Sequence, residues 1–368
     1  MKVLVTGAGG FIGKNLCLRL STIDGVDLIK YDIEDSFSCL EDAIDKVDII
    51  FHLAGVNRPE STEEFYSGNT DFTKSLVALI WDRGAKPTVV MSSSIQAALS
   101  NDYGKSKALA EEAVLSLSGQ TQAYVYRLQN VFRKWCRPNY NSVVATFCYN
   151  IMHDLPIIVN DPTRSLDLVY IDDIVDEFVS LARGGVPKHQ SGAYNSIEPV
   201  YSISLGELSE KLYGFKKSLQ STCVPPVGGV FTKKLFSTFL SYAEACDIVL
   251  NPKKNEDERG SFTELINTVD MGQVSVLISK KGITRGNHFH DTKMEKFIVL
   301  KGKARINLRH MITNDKMTFD VSSEDQTIVT IPVGYTHNIE NLGDELILLI
   351  WANENFDPKT PDTYYEEV

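Results

Sequence analysis

The sequence lacks any run of the ~20 consecutive apolar residues that a membrane-spanning helix needs. The apolar run after Met1 is too short for a signal peptide, and it leads directly into a glycine-rich segment at Gly7. We therefore expect no membrane insertion.

Positive charge and closely spaced cysteines are also scarce. Lys and Arg number 37 against 48 Asp and Glu, a formal net charge of −11, which argues against binding to a nucleic-acid backbone. The six cysteines form no CxxC pair, and this scatter predicts reduced thiols in a cytoplasmic protein. Hydrophobic residues make up 43% of the 368 residues, enough for ordinary cores in two or three domains.

The first two-thirds of the chain alternates strand-length apolar runs with amphipathic stretches. The strand-length runs are rich in β-branched residues and comprise residues 2–6, 27–31, 47–53, 88–91 and 123–127. Apolar residues recur three and four apart in residues 14–20, 71–81 and 105–117. This alternation predicts an α/β domain over residues 1–250, with a parallel sheet covered by helices on both faces.

The pattern changes after a polar segment, residues 251–260, which is typical of a linker. The strand-length runs beyond it are separated by turn residues and lack helical periodicity; they comprise residues 273–279, 295–301, 304–309, 327–332 and 346–352. Strands joined only by turns predict an antiparallel barrel or sandwich. We assign this all-β domain to residues 256–368.

Three glycines, Gly7, Gly10 and Gly13, follow the first predicted strand in the spacing GxxGxxG. Glycine lets the backbone turn tightly and approach a diphosphate, and the helix that follows aims its N–H groups at the anion. Ordinary turns between a strand and a helix also contain glycine. The position of the motif after the first strand favours a dinucleotide site.

Tyr103 and Lys107 are four residues apart, so one helix face carries both side chains. An ammonium beside a phenol lowers the pKa of the phenol from ~10 toward the working pH and makes it a usable proton donor. A hydroxyl of the Ser92–Ser94 run would hold a substrate oxygen. Such a pair also occurs by chance in many helices, so it does not establish a site alone.

These motifs occur in one order with His52-Leu53-Ala54-Gly55 and residues 127–132, and the first domain thereby resembles the extended short-chain dehydrogenase/reductases. The resemblance implies a Rossmann-type fold, proton transfer by Tyr103, ribose binding by Lys107 and substrate-carbonyl binding by Ser94. It implies substrate contacts by Asn130 and Arg164. The implied cofactor-binding residues are Gly7, Gly10, Phe11, Ile12, Gly13, Asp32, Leu53, Ala54 and Lys107.

Asp32 leaves the cofactor open. We interpret it either as the acid that binds the adenosine ribose, which favours NAD, or as an acid beneath the adenine. A carboxylate here would repel the 2′-phosphate of NADP, although Lys14 or Lys30 would counter it. The family resemblance favours NADPH, with NADH as the alternative. Ile95-Gln96 follows Ser94 where sugar dehydratases of the family carry an acid, so we do not expect dehydration.

Four residues of the second domain have the spacing of metal ligands. His288 and His290 are two apart on a predicted strand, so both imidazoles point to one side. Glu295 opens the next strand, and His337 follows a Pro-Gly turn. Three imidazoles and one carboxylate suit Zn²⁺, Fe²⁺, Mn²⁺ or Ni²⁺ alike. The alternative is a structural HxH with an unrelated third histidine.

The spacing Gx5HxHx4Ex6G, followed by PxGxxHxxxN, resembles the two signatures of the cupin family. This resemblance implies a β-barrel that binds a metal through His288, His290, Glu295 and His337, with zinc preferred. Gln326 stands where the second signature has glycine, a departure that affects a turn. His310 lies outside both signatures, and we interpret it as a packing or surface residue.

A short-chain reductase followed by a cupin is an unusual combination, and the whole chain resembles bacterial enzymes of capsular-polysaccharide synthesis on the UDP-N-acetyl-L-fucosamine route. The resemblance implies that the cupin epimerises C3 of a UDP-2-acetamido-2,6-dideoxy-4-ketohexose. The first domain then reduces the C4 ketone to give UDP-N-acetyl-6-deoxy-L-talosamine. A homodimer is expected.

Two alternative functions remain. In the first, only the reductase is active and the cupin is a metal-stabilised dimerisation module. In the second, the protein is a redox sensor that binds NADP(H) without turnover, and the Tyr103/Lys107 pair argues against this.

Overall fold

The computed structural model describes every residue from Met1 to Val368. The chain divides into two compact units, one formed by Met1–Leu212 and Lys234–Tyr242 and the other by Tyr213–Lys233 and Ala243–Val368. None of the helices has the length and apolar character needed to cross a membrane.

The first unit is built on a seven-stranded sheet in the order β2-β1-β3-β4-β5-β9-β8, in which only β8 runs antiparallel to its neighbour. Its strands are β1 (Lys2–Thr6), β2 (Asp27–Tyr31), β3 (Ile49–His52), β4 (Thr88–Ser94), β5 (Ala123–Leu128), β8 (Gln190–Ser191) and β9 (Tyr194–Asn195). A second, three-stranded sheet contains β6 (Asn130–Phe132), β7 (Ser165–Tyr170) and β10 (Tyr201–Ser204). The predicted Rossmann-type parallel sheet is confirmed.

Helices connect these strands. They are α1 (Phe11–Leu20), α2 (Ser38–Ala43), α3 (Thr62–Phe65), α4 (Phe72–Arg83), α5 (Asp102–Leu115), α6 (Val143–Met152), α7 (Ile171–Ala182), α8 (Leu205–Leu219) and α9 (Val230–Leu240). A π-helical segment, Tyr66–Asp71, precedes α4. Short 3₁₀ turns lie at Ile44–Lys46, Ile95–Ala98 and Ser116–Gly119.

Alternation along the strands separates the core of the first unit into two layers. Val3 and Val5 belong to one buried cluster, which includes Phe178 of α7. Leu4 points the other way into a second cluster, which includes Ile80 of α4. Because successive side chains of a strand face opposite sides, a strand covered on both faces is apolar at every position. This explains the uninterrupted apolar runs of the sequence.

The second unit contains two antiparallel sheets. The six-stranded sheet has the order β11-β12-β13-β20-β15-β18, and the five-stranded sheet has the order β17-β16-β19-β14-β21. The strands are β11 (Lys254–Asp257), β12 (Gly260–Thr268), β13 (Gly272–Lys280), β14 (Thr284–Phe289), β15 (Glu295–Lys301), β16 (Lys303–His310), β17 (Lys316–Ser322), β18 (Ile328–Ile331), β19 (Tyr335–Asn341), β20 (Glu345–Ala352) and β21 (Tyr364–Tyr365). No pairing joins one sheet to the other, so the hydrogen bonds form no closed barrel.

Both sheets contribute to one buried core in this unit. Phe297 and Leu348 come from the six-stranded sheet, and Ile306 and Ile339 come from the five-stranded sheet. The all-antiparallel β architecture predicted for the C-terminal part is therefore confirmed.

The predicted linker over residues 251–260 is wrong in its middle, where Lys254–Asp257 forms β11 and pairs with β12. All four residues are exposed, and the strand lies at the edge of its sheet. Edge strands are often charged because charge prevents pairing with other chains. An edge strand of this kind has the same composition as a linker.

Glycine at position 104 provides a stability test of the packing of α5. A Cβ atom at Gly104 would lie 2.3 Å from Leu99 O and 2.5 Å from Gln96 O. We expect Gly104→Ala to lower the free energy of unfolding by about 1–3 kcal/mol, as overpacking does. Gly214, inside α8, has open space around it, so Gly214→Ala should raise that free energy by about 0.5–1 kcal/mol. Denaturant unfolding followed by circular dichroism measures both, and an undiminished stability of Gly104→Ala would contradict the close contact.

Candidate functional site

The glycine loop joins β1 to α1 through close backbone contacts. Gly7 has a φ of +67°, and a Cβ atom there would lie 2.7 Å from Ala54 N. A Cβ at Gly13 would lie 2.1 Å from Gly7 O. Side chains are therefore excluded from both positions, and the loop is held against the end of β3, where Leu53 N donates a hydrogen bond to Thr6 O at 3.1 Å. The amide groups at the start of α1 are available to an anion.

Asp32, directly after β2, accepts a hydrogen bond from Gly9 N in this loop. A Cβ atom at Gly9 would lie 2.7 Å from Asp32 Oδ2. The carboxylate thus lies against the glycine loop, as both interpretations of Asp32 require.

Tyr103 and Lys107 lie in the first two turns of α5. Asn101 caps this helix by accepting a hydrogen bond from Gly104 N at 2.7 Å. Ser94 ends β4, and its side chain is hydrogen-bonded to Tyr103. Lys107 Nζ donates to Ser92 O at 3.4 Å. The structure therefore brings together the three residues that the sequence analysis assigned to catalysis.

The electrostatics of Tyr103 correct one expectation. Burial raises the pKa of Tyr103, and the hydrogen bond with Ser94 opposes this rise only in part. The prediction that Lys107 lowers the pKa of the phenol is therefore wrong for this structure. Its own ammonium is buried, which lowers the pKa of Lys107 to about 8, although the carboxylate of Glu111 acts in the opposite direction.

Sequence analysis missed Glu111, which lies one turn after Lys107 on α5 and is 1% exposed. It accepts hydrogen bonds from Ser93 Oγ at 2.5 Å and from an Arg127 guanidinium nitrogen at 2.6 Å. The Arg127 guanidinium in turn lies 3.6 Å from the ring centre of Tyr194. The only signal in the sequence for Glu111 was its position eight residues after Tyr103, on the same helix face.

A cavity of about 530 Å³ opens at this end of the sheet. Of the predicted site residues, it is lined by Gly7, Gly10, Phe11, Ile12, Gly13, Leu53, Ser94, Tyr103, Lys107 and Asn130. Asp32, Ala54 and Arg164 do not line it, and Arg164 is exposed. The sequence analysis gave no role to another part of the wall, which includes Trp135, Arg137 and Tyr140.

The charge of the cavity wall is opposite to that of the chain. Lys14, Lys107 and Arg137 line the cavity, and no Asp or Glu does, although the chain has a net charge of −11. A concave site whose only charged side chains are positive concentrates anionic ligands. This wall suits ligands that carry phosphate groups.

The second unit brings together the four predicted metal ligands. One ligand atom from each of His288, His290, Glu295 and His337 lies within 4.8 Å of the others. Glu295 Oε2 lies 3.2 Å from His337 Nε2 and 3.5 Å from His290 Nε2. Strands β14 and β19, which carry His288 and His337, pair with each other, and these two residues are directly opposite in the register.

The donor atoms of this cluster fit a divalent cation. His290 Nε2 and both ring nitrogens of His337 are buried without a hydrogen-bond partner, which is unfavourable unless a further ligand is bound. Burial and the neighbouring His337 lower the pKa of His288 to about 4, so its imidazole is neutral at pH 7. Burial would raise the pKa of Glu295, but the two adjacent imidazoles lower it well below its ordinary range. A neutral His288 imidazole and an ionised Glu295 carboxylate are the protonation states in which these two groups coordinate metals.

Asp362 is a supporting residue that the sequence analysis missed. Its backbone oxygen is hydrogen-bonded to His290 Nδ1. Its carboxylate accepts hydrogen bonds from the backbone N–H groups of Asp291, Thr292 and Lys293 at 2.7–2.8 Å. A backbone acceptor on Nδ1 directs Nε2 of the same ring toward the cluster.

Comparison with known families gives the class of the protein. Residues 3–195 match the NAD dependent epimerase/dehydratase family, and residues 255–364 match the polysaccharide biosynthesis C-terminal domain. The first match covers just over half of the chain, which therefore belongs to the NAD dependent epimerase/dehydratase family.

Full-length relatives narrow this class. The chain is 44% identical over 367 residues to the UDP-2-acetamido-2,6-beta-L-arabino-hexul-4-ose reductase of Pseudomonas aeruginosa, covering 99% of this chain and 98% of that protein. The crystal structure of the capsular polysaccharide assembling protein CapF from Staphylococcus aureus has a TM-score of 0.92 and 44% identity, with complete coverage of both chains. The chain is CapF-like along its whole length, and the predicted resemblance is confirmed.

More distant structures share only the fold of the first unit. The UDP-glucuronic acid 4-epimerase from Bacillus cereus, in complex with NAD, has a TM-score of 0.51 and 18% identity, covering 59% of this chain and 85% of that chain.

The four-residue cluster makes a direct prediction for metal content. We expect the purified wild-type protein to hold about one divalent cation per chain after dialysis, because four ligand atoms converge at this place, and His337→Asn to lose most of it. His310→Asn is the matched control, because His310 lies in the same sheet and its Nδ1 accepts hydrogen bonds from Ile312 N and Thr313 N. Elemental analysis by mass spectrometry measures the metal. Equal metal content in His337→Asn and wild type would contradict the assignment.

Proposed function

We propose that the first unit reduces the C4 ketone of a UDP-linked 2-acetamido-2,6-dideoxy-4-ketohexose with NAD(P)H. The observation that carries this proposal is the cavity that contains both the glycine loop and the hydrogen-bonded pair of Ser94 and Tyr103. The similarity to a UDP-keto-sugar reductase over almost the whole chain supports the substrate class.

The residues of the cavity divide the work of this reaction. The dinucleotide supplies the hydride when it is bound. The hydroxyls of Ser94 and Tyr103 hold the ketone oxygen, and Tyr103 gives that oxygen its proton. Burial keeps the phenol protonated until then, since it raises the pKa of Tyr103. The ammonium of Lys107, held by Ser92 O, binds the ribose of the dinucleotide.

Contacts around the reacting centre complete the proposed binding site. Gly7, Gly10 and Gly13 would hold the dinucleotide, and Asp32 would lie near its adenosine half. Asn130 contacts the sugar. Arg164 stays a predicted substrate residue, although it does not line the cavity in this conformation.

We further propose that the second unit is a cupin that epimerises C3 of the same keto-sugar before its reduction, so that the product is UDP-N-acetyl-6-deoxy-L-talosamine. The supporting observation is the cluster of three imidazoles and one carboxylate on antiparallel strands, in which His290 and His337 are buried and His288 and Glu295 are half-buried. A divalent cation there, with zinc preferred, would polarise a ketone oxygen and thereby acidify the adjacent C3–H bond. The competing hypothesis makes this unit a metal-stabilised dimerisation module without chemistry of its own.

Four further assignments stay predictions. They are NADPH rather than NADH, the homodimer, the cytoplasmic location, and the domain bounds 1–250 and 256–368.

Replacement of the phenol tests the reductase. We expect Tyr103→Phe to lower kcat for sugar-dependent NADPH oxidation by about 10²–10⁴-fold, because a positioned acid contributes this much. The dissociation constant for NADPH should stay near the wild-type value. Tyr66→Phe is the matched control. The Tyr66 hydroxyl donates a hydrogen bond to Asp102 at 3.1 Å, and Tyr66 does not line the cavity. Wild-type turnover by Tyr103→Phe would show that the proton comes from another group.

Hydrogen exchange at C3 separates the two hypotheses for the second unit. The full-length protein is incubated with the 4-keto sugar in D₂O without NAD(P)H, so reduction cannot occur. We expect NMR to show deuterium at C3 with wild type and with Tyr103→Phe, and no exchange above the enzyme-free background with His337→Asn. If the wild-type, metal-loaded protein shows no exchange, the epimerase proposal is wrong and the dimerisation hypothesis is favoured.

A further inference from the structure

The proposed mechanism gives a role to Lys107 but none to the other two cations of the cavity wall, Lys14 and Arg137. Lys14 lies in the first turn of α1, beside the glycine loop, and Lys107 lies beside Tyr103. Arg137 belongs instead to the segment between β6 and α6, together with Tyr140.

Two guanidinium groups share the ring of Tyr140. The Cζ atom of Arg137 lies 5.3 Å from the ring centre, and that of Arg58, from the segment after β3, lies 5.9 Å from it. Guanidinium groups at this distance from an aromatic ring are attracted to its face. The ring therefore holds two positive charges from separate segments at one place.

Neither guanidinium has an ion-pair partner. Most arginines of the chain are held by a carboxylate, for example Arg127 by Glu111 at 2.6 Å and Arg305 by Asp320 at 2.8 Å. Arg58 and Arg137 are exposed. Arg137 lines the cavity, whose wall has no acidic residue, and Arg58 does not line it. Two like charges beside one ring without a counter-ion repel each other, so an anion bound near them would be stabilised.

We propose that Arg137, held by the ring of Tyr140 in the cavity wall, binds the diphosphate of the nucleotide sugar, and that Arg58 beside the same ring adds positive charge to this site. A diphosphate carries charge on two adjacent groups, and a guanidinium donates two parallel hydrogen bonds to a phosphate. This inference rests on the proposed function, which requires a UDP-linked substrate.

The diphosphate of the dinucleotide is the other candidate ligand, and the geometry favours a different place for it. The glycine loop and the amide groups of α1 form one anion site, with Lys14 beside them. The proposed reaction brings two diphosphates into the cavity, one on each substrate. Arg137 and Tyr140 lie on a different segment, which begins after the predicted sugar-binding residue Asn130 on β6 and ends at Ser142, the N-cap of α6.

Titration calorimetry on the full-length protein tests this assignment with UDP, UMP and NADPH as probes. UMP lacks the second phosphate, so the ratio of the UMP to the UDP dissociation constant reports on recognition of the diphosphate. We expect Arg137→Gln to weaken UDP binding about tenfold, the usual effect of losing a charge-assisted hydrogen bond. Arg58→Gln should weaken it less, because Arg58 does not line the cavity. The UMP/UDP ratio should fall toward one, while the dissociation constant for NADPH changes less than about twofold.

Arg183→Gln is the matched control. Arg183 is an exposed arginine at the end of α7 that does not line the cavity, and its replacement should change none of the three constants. Circular dichroism verifies that each variant is folded.

Two results would overturn the inference while the proposed function stands: a wild-type UMP/UDP ratio in both arginine variants, or a loss of NADPH affinity in place of UDP affinity. If the wild-type protein binds NADPH but neither UDP nor UMP, then the UDP-linked substrate is itself wrong, and the diphosphate site fails with it.

Discussion

A buried positive charge on Lys107 is the constraint around which the site of the first unit is arranged. The residue is 6% exposed, and an isolated ammonium in such a place would lose its proton or cost several kcal/mol of stability. The nearby carboxylate of Glu111 limits this cost, so the pKa of Lys107 falls only to about 8. Ser92 O also accepts a hydrogen bond from the ammonium. Ser93 of β4 and Arg127 of β5 both donate hydrogen bonds to Glu111. These bonds hold helix α5 against the two strands about two turns after Tyr103.

The raised pKa of Tyr103 is consistent with the role of a proton donor. A donor must carry its proton when the substrate arrives, and burial ensures this by disfavouring the phenolate. The expectation that Lys107 acidifies the phenol is wrong for this structure, since burial and the hydrogen bond with Ser94 account for the shifted pKa of Tyr103. In the resting protein the ammonium interacts with Ser92 O and Glu111, and the phenol interacts with Ser94.

The sequence could predict the features that depend on local spacing. The apolar runs gave the parallel sheet, and the spacing of four residues placed Tyr103 and Lys107 on one face of a helix. The metal-ligand pattern located four residues whose ligand atoms converge.

Features that depend on tertiary contacts were not predictable. The charged edge strand β11 has the composition of a linker, and the meeting of Arg58 with Arg137 requires two segments that are far apart in the chain. Arg164 was selected by its motif, but its exposure could not be deduced from that motif.

The two candidate sites differ in the charge that the protein itself supplies. In the second unit an ionised Glu295 lies among three imidazoles, a donor set that would supply negative charge to a divalent cation. The cavity of the first unit has no carboxylate in its wall. A carboxylate there would pair with Lys107 and repel the two diphosphates of the proposed reaction. Under the proposed function, separating proton abstraction at C3 from reduction at C4 keeps the carboxylate of the metal cluster away from Lys107 and from the dinucleotide.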